Sequence, residues 1–279
     1  MNATHRHGKQ VILITGASSG IGKASALKLL EEGHIVYAAA RRLEQMEDLK
    51  RSGARILSLD ISQEADIVQC VHTVIEEQGR IDVLFNNAGF GLYGSVEDIP
   101  LEEARYQFDV NLFGLARITQ LVLPHMRKQN SGKIINTSSM GGKMYTPLGA
   151  WYHATKHALE GWSDCLRLEV QSFGIDVVII EPGLILTEFG DVVSKPMKRH
   201  SGNGAYRSLA QAVSKASESA YTSGGGSSPD VIANVVARAV RSPRPKTRYA
   251  AGKWAKPMMT MRKWLGDKVF DRIIMSQVK

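Results

Sequence analysis

Cysteine is scarce in this chain: Cys70 and Cys165 are the only two among 279 residues. Small secreted domains that are stabilised by disulfides contain many more cysteines. These two are also too far apart in the sequence for a metal-binding or redox motif. No apolar run approaches the roughly 18 residues that a transmembrane helix needs. The N-terminal MNATHRHGKQ also lacks the apolar segment of a secretory signal. Together these absences predict a cytoplasmic protein whose thiols are reduced.

Excess charge is absent from most of the chain, although its net charge is +8. Residues 241–279 hold eleven Lys and Arg against two Asp, so the first 240 residues are about neutral. A nucleic-acid-binding domain needs a basic face on its folded body, so we expect no nucleic-acid partner. A hydrophobic content of 43% with 22% charged residues excludes a disordered chain.

Short apolar runs alternate with segments of helical periodicity. The predicted strands are 11–15, 35–39, 55–59, 83–85, 134–137, 177–181 and 247–251, and the predicted helices include 21–32, 64–78, 101–127 and 151–173. Nearly continuous apolar strands between helices indicate a parallel sheet covered on both faces. We therefore predict a single doubly wound, Rossmann-type α/β domain over residues 1–279. Its sheet has about seven strands with helices on both faces, and its ligands bind beyond the carboxyl ends of the strands.

Residues 188–227 interrupt this alternation. Small and polar residues lead into the glycine-rich run 223–228, after which Ser228 as N-cap and Pro229 at the first helical position restart a helix to about Val240. An irregular segment between glycine-rich hinges is typical of a mobile lid over a substrate. A surface loop without function is the alternative.

A glycine-rich loop, TGASSGIG at 15–22, follows the first strand and opens a helix. Glycines allow a tight turn and close approach of the backbone to a pyrophosphate, and the helix N-terminus supplies N–H donors. We predict dinucleotide contacts from Gly16, Ser18, Ser19, Gly20, Ile21 and Gly22.

The second predicted strand ends in Arg41 and Arg42 rather than in a carboxylate. A guanidinium pair at this place fits a ribose 2′-phosphate, so the predicted cofactor is NADP(H). The alternative is that both arginines only begin a solvated helix. Asp60, after the third strand, is placed to accept a hydrogen bond from the adenine amino group.

Further motifs follow in a fixed order: NNAG at 86–89, DVNLFG around Asn111, NTSSMGG around Ser139, YHATK at 152–156 and PGLILT from Pro182. With the glycine-rich loop, this ordered set resembles the short-chain dehydrogenase/reductase family over about residues 10–187. The resemblance implies a catalytic set of Asn111, Ser139, Tyr152 and Lys156. It also implies cofactor contacts from Asp60, Ile61, Asn87, Ala88, Gly89, Tyr152, Lys156, Pro182, Gly183 and Thr187.

Two pairs compete within WYHATKHALEG: Tyr152 with Lys156, and His153 with His157. Reduction of a ketone builds negative charge on its oxygen, which needs a hydrogen-bond donor and a proton. Free tyrosine, with a pKa of about 10, needs a cation beside it to work near neutral pH, and Lys156 lies one helical turn away. The histidines lack further partners at metal spacing, so we expect no metal site and assign them to packing and surface.

The basic segment 253–279 continues past the last predicted strand, with Trp254, Met258, Met261, Leu265, Val269 and Ile273 on one expected apolar helix face. Three interpretations stay open: a wall for a bulky apolar substrate, a peripheral membrane contact, and a helix packed on the body. The pattern RYAAGKWAK is similar to the subgroup near 17β-hydroxysteroid dehydrogenases, retinol dehydrogenases and acyldihydroxyacetone-phosphate reductases.

The predicted function is NADP(H)-dependent interconversion of a ketone or aldehyde and an alcohol on a lipophilic small molecule. The alternative is a ketoreductase of the 3-oxoacyl-acyl-carrier-protein type, whose acidic partner the basic segment would meet. A nucleotide sensor without activity and a lipid-binding protein are weaker alternatives, since all four expected catalytic positions are filled. The resemblance also implies a homodimer or homotetramer formed through the helices at about 101–128 and 152–172.

Overall fold

The structure, a computed structural model, describes residues 8–222 and 225–278. Within these residues, parallel strands form one seven-stranded sheet in the order β3-β2-β1-β4-β5-β6-β7. The strands are β1 (Val11–Thr15), β2 (Ile35–Ala40), β3 (Arg55–Ser58), β4 (Val83–Asn86), β5 (Gly132–Thr137), β6 (Ile175–Pro182) and β7 (Arg248–Ala251). The strand order reverses direction between β1 and β4, which is the doubly wound arrangement, and the predicted fold is confirmed.

Helices cover both faces of the sheet. They are α1 (Gly20–Glu31), α2 (Glu47–Arg51), α3 (Glu64–Gln78), α4 (Leu101–Phe108), α5 (Gly114–Gln129), α6 (Ala150–Val170), α7 (Phe189–Ser201), α8 (Arg207–Thr222), α9 (Pro229–Arg241), α10 (Ala255–Trp264) and α11 (Asp267–Ser276). Successive residues of β1 point to opposite faces: Ile12 and Ile14 pack with α1 and α9, while Val11 and Leu13 pack with α3, α5 and α6.

One long helix was expected over 101–127, but α4 and α5 are joined by a π-helical turn, Asp109–Phe113. Gly114, where α5 begins, explains the offset, because a Cβ there would lie 2.0 Å from the Ile61 carbonyl oxygen. The backbone of Gly114 must pass this close to the loop after β3. The π turn changes the direction of the chain between α4 and α5 and so allows this close approach. Such turns often occur at functional sites, and this one contains Asn111.

The prediction of an irregular segment at 188–227 was wrong in its local structure, because residues 189–201 form α7 and residues 207–222 form α8. Their small and polar residues alternate with buried apolar ones at helical spacing, including Met197 and Ala210. The expected glycine-rich hinge falls partly on residues 223–224, which lie outside the described residues. The N-cap of α9 is as expected, since Ser228 Oγ accepts a hydrogen bond from the Asp230 amide. The lid function of this segment stays a prediction.

The C-terminal segment forms two helices rather than one, because the chain turns at Leu265 and Gly266 between α10 and α11. Because the helix is interrupted, the spacing of apolar residues in α10 does not continue unchanged into α11. Met258 and Met261 face inward as expected, but in α11 Phe270 and Ile274 are buried and Val269 is exposed. The predicted apolar face is thus correct in α10. In α11, Ile273 lies on the inner side as expected, whereas Val269 is exposed.

No helix in the described residues is long and apolar enough to cross a membrane, and no three metal-binding side chains there are grouped to hold an ion. Of the N-terminal segment discussed above, residues 1–7 lie outside the described part of the chain.

Lys133 joins the sheet to the end of α9. Its ammonium group is buried and donates to the carbonyl oxygens of Ala239 at 3.0 Å, Ser242 at 2.6 Å and Val240. Helix C-termini leave carbonyl groups without partners and carry partial negative charge, so a buried cation at this end stabilises both elements.

We expect Lys133→Met, which keeps the apolar stem and removes the donors, to lower the free energy of unfolding by about 1–3 kcal/mol. Urea unfolding followed by circular dichroism measures this change. The exposed Lys128→Met on α5 is the control, with an expected change within about 0.5 kcal/mol. Equal stability of the two variants would contradict the role given to Lys133.

Candidate active site

A cavity of about 1030 Å³ opens at the carboxyl ends of the strands. At one side it is lined by the glycine-rich loop and the ends of β2 to β4, and at the other by α7, α8, α10 and α11. Of the predicted site residues, two do not line it: Gly22 and Asn111. Those that do are Gly16, Ser18, Ser19, Gly20, Ile21, Arg41, Arg42, Asp60, Ile61, Asn87, Ala88, Gly89, Ser139, Tyr152, Lys156, Pro182, Gly183 and Thr187.

The glycine-rich loop has the shape of a cradle for a pyrophosphate. Gly16 has a φ of +67°, and a Cβ there would lie 2.7 Å from Ala88 Cα. A Cβ on Gly22 would lie 2.3 Å from the Gly16 carbonyl oxygen, so Gly22 keeps the turn tight without reaching the cavity. The N-cap residue of α1, Ser19, makes no side-chain capping bond. The first N–H groups of α1 therefore remain available to an anion, and these residues fit a dinucleotide.

Both arginines after β2 lie at the margin of this cradle. Arg41 donates to Tyr106 Oη at 3.2 Å, and Arg42 donates to Ser18 Oγ at 3.3 Å. Arg42 also lies 3.6 Å from the Glu188 carboxylate at the start of the α7–α8 segment. Each guanidinium keeps further N–H donors for a phosphate.

Asp60 is held by hydrogen bonds within the loop after β3. Its Oδ1 accepts from the Ser62 amide at 3.0 Å and from the Ser62 hydroxyl at 2.7 Å.

Thr15, the last residue of β1, holds the segment after β4. Its Oγ1 accepts hydrogen bonds from the amides of Asn87 and Ala88, each at 3.1 Å. This bond fixes the segment after β4 against the glycine-rich loop. Thr15 is therefore a positioning residue, although it was not among the predicted site residues.

Ser139 is the second residue of the segment 138–149, which joins β5 to α6. Its Oγ accepts a hydrogen bond from the Gly141 amide at 3.0 Å, so its own hydroxyl hydrogen is free of that bond and available to a ligand. The neighbouring Ser138 is buried, and its Oγ packs against Gly142, where an added Cβ would lie 2.7 Å from it. The contacts favour Ser139 as the donor facing the cavity.

Tyr152 projects from the first turn of α6 into the cavity and is packed among aromatic rings. Ring centroids of Phe189, His153 and Tyr93 lie 5.5, 5.6 and 5.8 Å from its own. Tyr93 and Phe189 fix the phenol in place. No spacing in the sequence indicated either of them, since Tyr93 follows β4 and Phe189 begins α7, both distant from Tyr152 along the chain.

Lys156 lies one turn beyond Tyr152 and is buried. Its Nζ donates to the Thr137 carbonyl oxygen at the end of β5, at 2.8 Å. Burial lowers the pKa of Lys156 to about 8, while the carboxylate of Glu160 acts against this shift. The ammonium group is therefore held in a fixed place by the end of a strand, with donors left for a ligand.

Glu160 connects the buried lysine to a charged cluster behind it. Its Oε2 accepts from the Arg248 guanidinium at 3.0 Å and lies 2.9 Å from Lys143 Nζ. Burial, followed by repulsion from Glu160, raises the pKa of Glu181 to about 7. The cluster ties α6 to β7 and to the loop after Ser139.

Asn111 lies behind the cavity wall. Its Oδ1 accepts from the Phe90 amide at 3.0 Å, and its Nδ2 donates to the Phe90 carbonyl at 2.9 Å and to Thr155 Oγ1 at 3.1 Å. These are the contacts of a positioning residue that joins the segment after β4 to α6. Its predicted role in catalysis stays a prediction.

His153 is buried and holds the loop after Ser139. Its Nε2 accepts from the Thr146 amide at 3.0 Å, so Nδ1 carries the hydrogen and donates to the Gly141 carbonyl at 2.9 Å. Burial lowers its pKa to about 4, and the ring is neutral. His157, by contrast, is exposed. The packing role predicted for His153 thus includes positioning of the Ser139 loop.

The C-terminal segment reaches the cavity because of Gly183. A Cβ at this position would lie 2.1 Å from the Lys253 carbonyl oxygen. The backbone after β7 therefore passes directly against the end of β6, and from there α10 and α11 complete an apolar wall. The wall residues from this segment are Trp254, Met258, Met261, Ile273, Ile274, Gln277 and Val278.

Comparison with known proteins gives concordant matches. A family model described as short chain dehydrogenase matches residues 10–198. The 3-ketodihydrosphingosine reductase of Bacteroides thetaiotaomicron is 46% identical over 182 residues, which are 65% of this chain and 66% of that reductase. The match thus spans just under two thirds of the reductase. An uncharacterized oxidoreductase of Escherichia coli, YbbO, is 34% identical over 264 residues, covering 94% of this chain and 93% of the relative.

The crystal structure of a short-chain dehydrogenase from Streptomyces avermitilis has a TM-score of 0.83 and 33% identity to this chain. The match covers 95% of this chain and 96% of that one. The resemblance predicted from the ordered motifs is confirmed: the chain belongs to the short-chain dehydrogenase/reductase family.

Proposed function

We propose that this protein is an NADP(H)-dependent oxidoreductase that interconverts a ketone or aldehyde and an alcohol on a lipophilic substrate. The observation that carries the proposal is that Ser139, Tyr152 and Lys156 line the same cavity as the mostly apolar side chains of α7, α8, α10 and α11. A polar reaction centre opposite apolar walls fits a substrate with one carbonyl group on a hydrocarbon body.

The chemistry divides between the cofactor and the chain. When bound, the reduced dinucleotide supplies a hydride to the carbonyl carbon. The Ser139 hydroxyl donates a hydrogen bond to the substrate oxygen as it becomes negative, and Tyr152 transfers its phenolic proton to that oxygen. Lys156, held by Thr137, stabilises the resulting phenolate through its positive charge. In the opposite direction, Tyr152 accepts the proton of the alcohol.

The apolar walls support a lipid-like substrate. Val192 and Val193 of α7, with Met258 and Met261 of α10, line the cavity beyond Tyr152. Methionine side chains adapt to irregular hydrocarbon shapes. The name of the Bacteroides relative, 3-ketodihydrosphingosine reductase, points to the same substrate class. In this proposal α7 and α8 serve as the substrate lid.

We also propose a homodimer or homotetramer. The helices expected to form its interfaces expose large apolar side chains, namely Leu101 on α4, Phe113 in the π turn and Leu168 on α6. Exposed apolar side chains of this size are typical of association surfaces.

Tyr152→Phe tests the proton transfer. It keeps the packed ring and removes the hydroxyl, so we expect turnover of a lipophilic ketone to fall about 100-fold or more, a much larger loss than that in dinucleotide affinity. Tyr249→Phe, in β7, is the matched control and should keep turnover. Loss of cofactor absorbance measures the rate. Full turnover by a folded Tyr152→Phe variant would refute the role of the phenol.

Arg41→Ala and Arg42→Ala test the preference for NADP(H). Each removes charge-assisted hydrogen bonds to a 2′-phosphate, so we expect NADPH affinity to fall about tenfold or more, with little change for NADH. Arg51→Ala on α2 is the control. Fluorescence titration gives both affinities, and equal binding of NADPH and NADH by the unaltered protein would contradict the phosphate role.

The pKa of Lys156 predicts a pH profile. Its lowered pKa means that the ammonium group is present below about pH 8 and is lost above it. We therefore expect kcat/KM for ketone reduction to fall as the pH rises through about 8, because Tyr152 loses the adjacent positive charge. Initial rates across the range measure it, with stability checked at each pH. A profile that stays flat to about pH 10, where free lysine titrates, would refute this assignment.

A further inference from the structure

The helices α10 and α11, here called the C-terminal helical pair, have two different faces. The inner face lines the cavity with Met258, Met261 and Ile273. Beneath it, Phe270 packs against Met144 in the loop that follows Ser139. The pair is thus part of the wall of the active site and not a loose appendage.

Both aspartates of the pair are used to hold it in place. The Tyr145 hydroxyl donates to Asp271 Oδ1 at 2.9 Å, and Arg262 pairs with Asp267 at 2.9 Å. The Arg262 guanidinium also lies over the rings of Tyr145 and Phe270, at 5.1 and 5.7 Å. The charge of Asp267 is therefore paired with Arg262, and the Asp271 carboxylate is hydrogen-bonded to Tyr145. The remaining charged residues of the segment are basic.

The outer face combines cations with large exposed apolar side chains. Its residues are Lys256, Thr260, Lys263 and Trp264 on α10, and Lys268, Val269, Arg272 and Met275 on α11. Trp264 is 75% exposed, and Lys263 Nζ lies 5.3 Å from the centre of its ring. Val269 and Met275 are 44% and 43% exposed. Lysine, arginine and tryptophan around apolar side chains are the composition of helices that lie in a membrane interface.

The same apolar surface continues to the mouth of the cavity. Trp254, at the start of α10, is 52% exposed and also lines the cavity. Val192 of α7 shares both properties. Exposed apolar side chains of both the C-terminal helical pair and α7 thus belong to the cavity wall, where a hydrocarbon substrate could enter.

We propose that the outer face of the C-terminal helical pair docks on an anionic phospholipid surface, and that the substrate passes from the bilayer into the cavity between this pair and α7–α8. The second part rests on the proposed function. Cations alone would also suit an acidic carrier protein. Trp264, Val269 and Met275 favour lipid, because an interface with hydrocarbon buries them while the lysines reach the headgroups.

Sedimentation of the full chain with vesicles tests the docking. The probes are vesicles of phosphatidylcholine alone and vesicles of equal parts phosphatidylcholine and phosphatidylglycerol. We expect binding to the mixed vesicles to be at least tenfold tighter and to weaken as salt is added. The double variant Lys263→Glu/Lys268→Glu should lose this preference at least tenfold. Lys50→Glu/Arg51→Glu on α2 makes the same change of charge elsewhere and should bind within about twofold of the unaltered protein.

Turnover separates this inference from the proposed function. A short, water-soluble ketone without vesicles should be reduced equally by the unaltered protein and the Lys263→Glu/Lys268→Glu variant. A long-chain ketone embedded in mixed vesicles should be reduced at least tenfold more slowly by the variant. Equal rates on the embedded ketone would overturn delivery from the bilayer.

Two further outcomes would overturn the docking and leave the enzyme assignment standing. One is reduction of the soluble ketone by a protein that binds neither kind of vesicle. The other is absence of vesicle binding together with a charge-dependent association with an acyl carrier protein, which would make the outer face a protein contact. Vesicle binding without reduction of any ketone would refute the proposed function while supporting the docking.

Discussion

A parallel sheet that is covered on both faces leaves one place for polar chemistry, the carboxyl ends of its strands. In this protein the strands are apolar almost throughout, and the helices on each side bury what they present. Polar side chains and free helix N-termini can then meet only along one edge. The glycine-rich loop, the segment after β4, the Ser139 loop and the end of β6 all converge there. The position of the cavity follows from this constraint.

At these strand ends, α6 arranges the predicted catalytic side chains along a single line. Tyr152, Lys156 and Glu160 are spaced by four residues, so they succeed one another on one helix face. The first faces the cavity, the second is held by the end of β5, and the third lies in a buried charged cluster. A buried ammonium group is costly unless it is hydrogen-bonded and compensated. The carbonyl of Thr137 and the carboxylate of Glu160 meet both requirements, which explains how a lysine can stay charged in this place.

The parts predicted best from the sequence are those set by local pattern. Strand periodicity and the glycine-rich loop located the sheet and the cofactor cradle, and the ordered motifs brought Ser139, Tyr152 and Lys156 together. Features decided by distant contacts were not predictable. The π turn arises where Gly114 meets the Ile61 carbonyl, and Asn111 is drawn behind the wall by its bonds to Phe90 and Thr155. Leu265 and Gly266 break a helix that continuous apolar spacing had suggested.

The close passage of Lys253 against Gly183 also matters to anyone handling the protein in the laboratory. It directs the last helices back toward the cavity, so that Gln277 and Val278 become part of its wall. An affinity tag, fluorescent reporter or immobilisation linker joined after these residues would therefore crowd the mouth of the cavity. A label joined ahead of β1 would start from the opposite end of the sheet, since the parallel strands run toward the cavity.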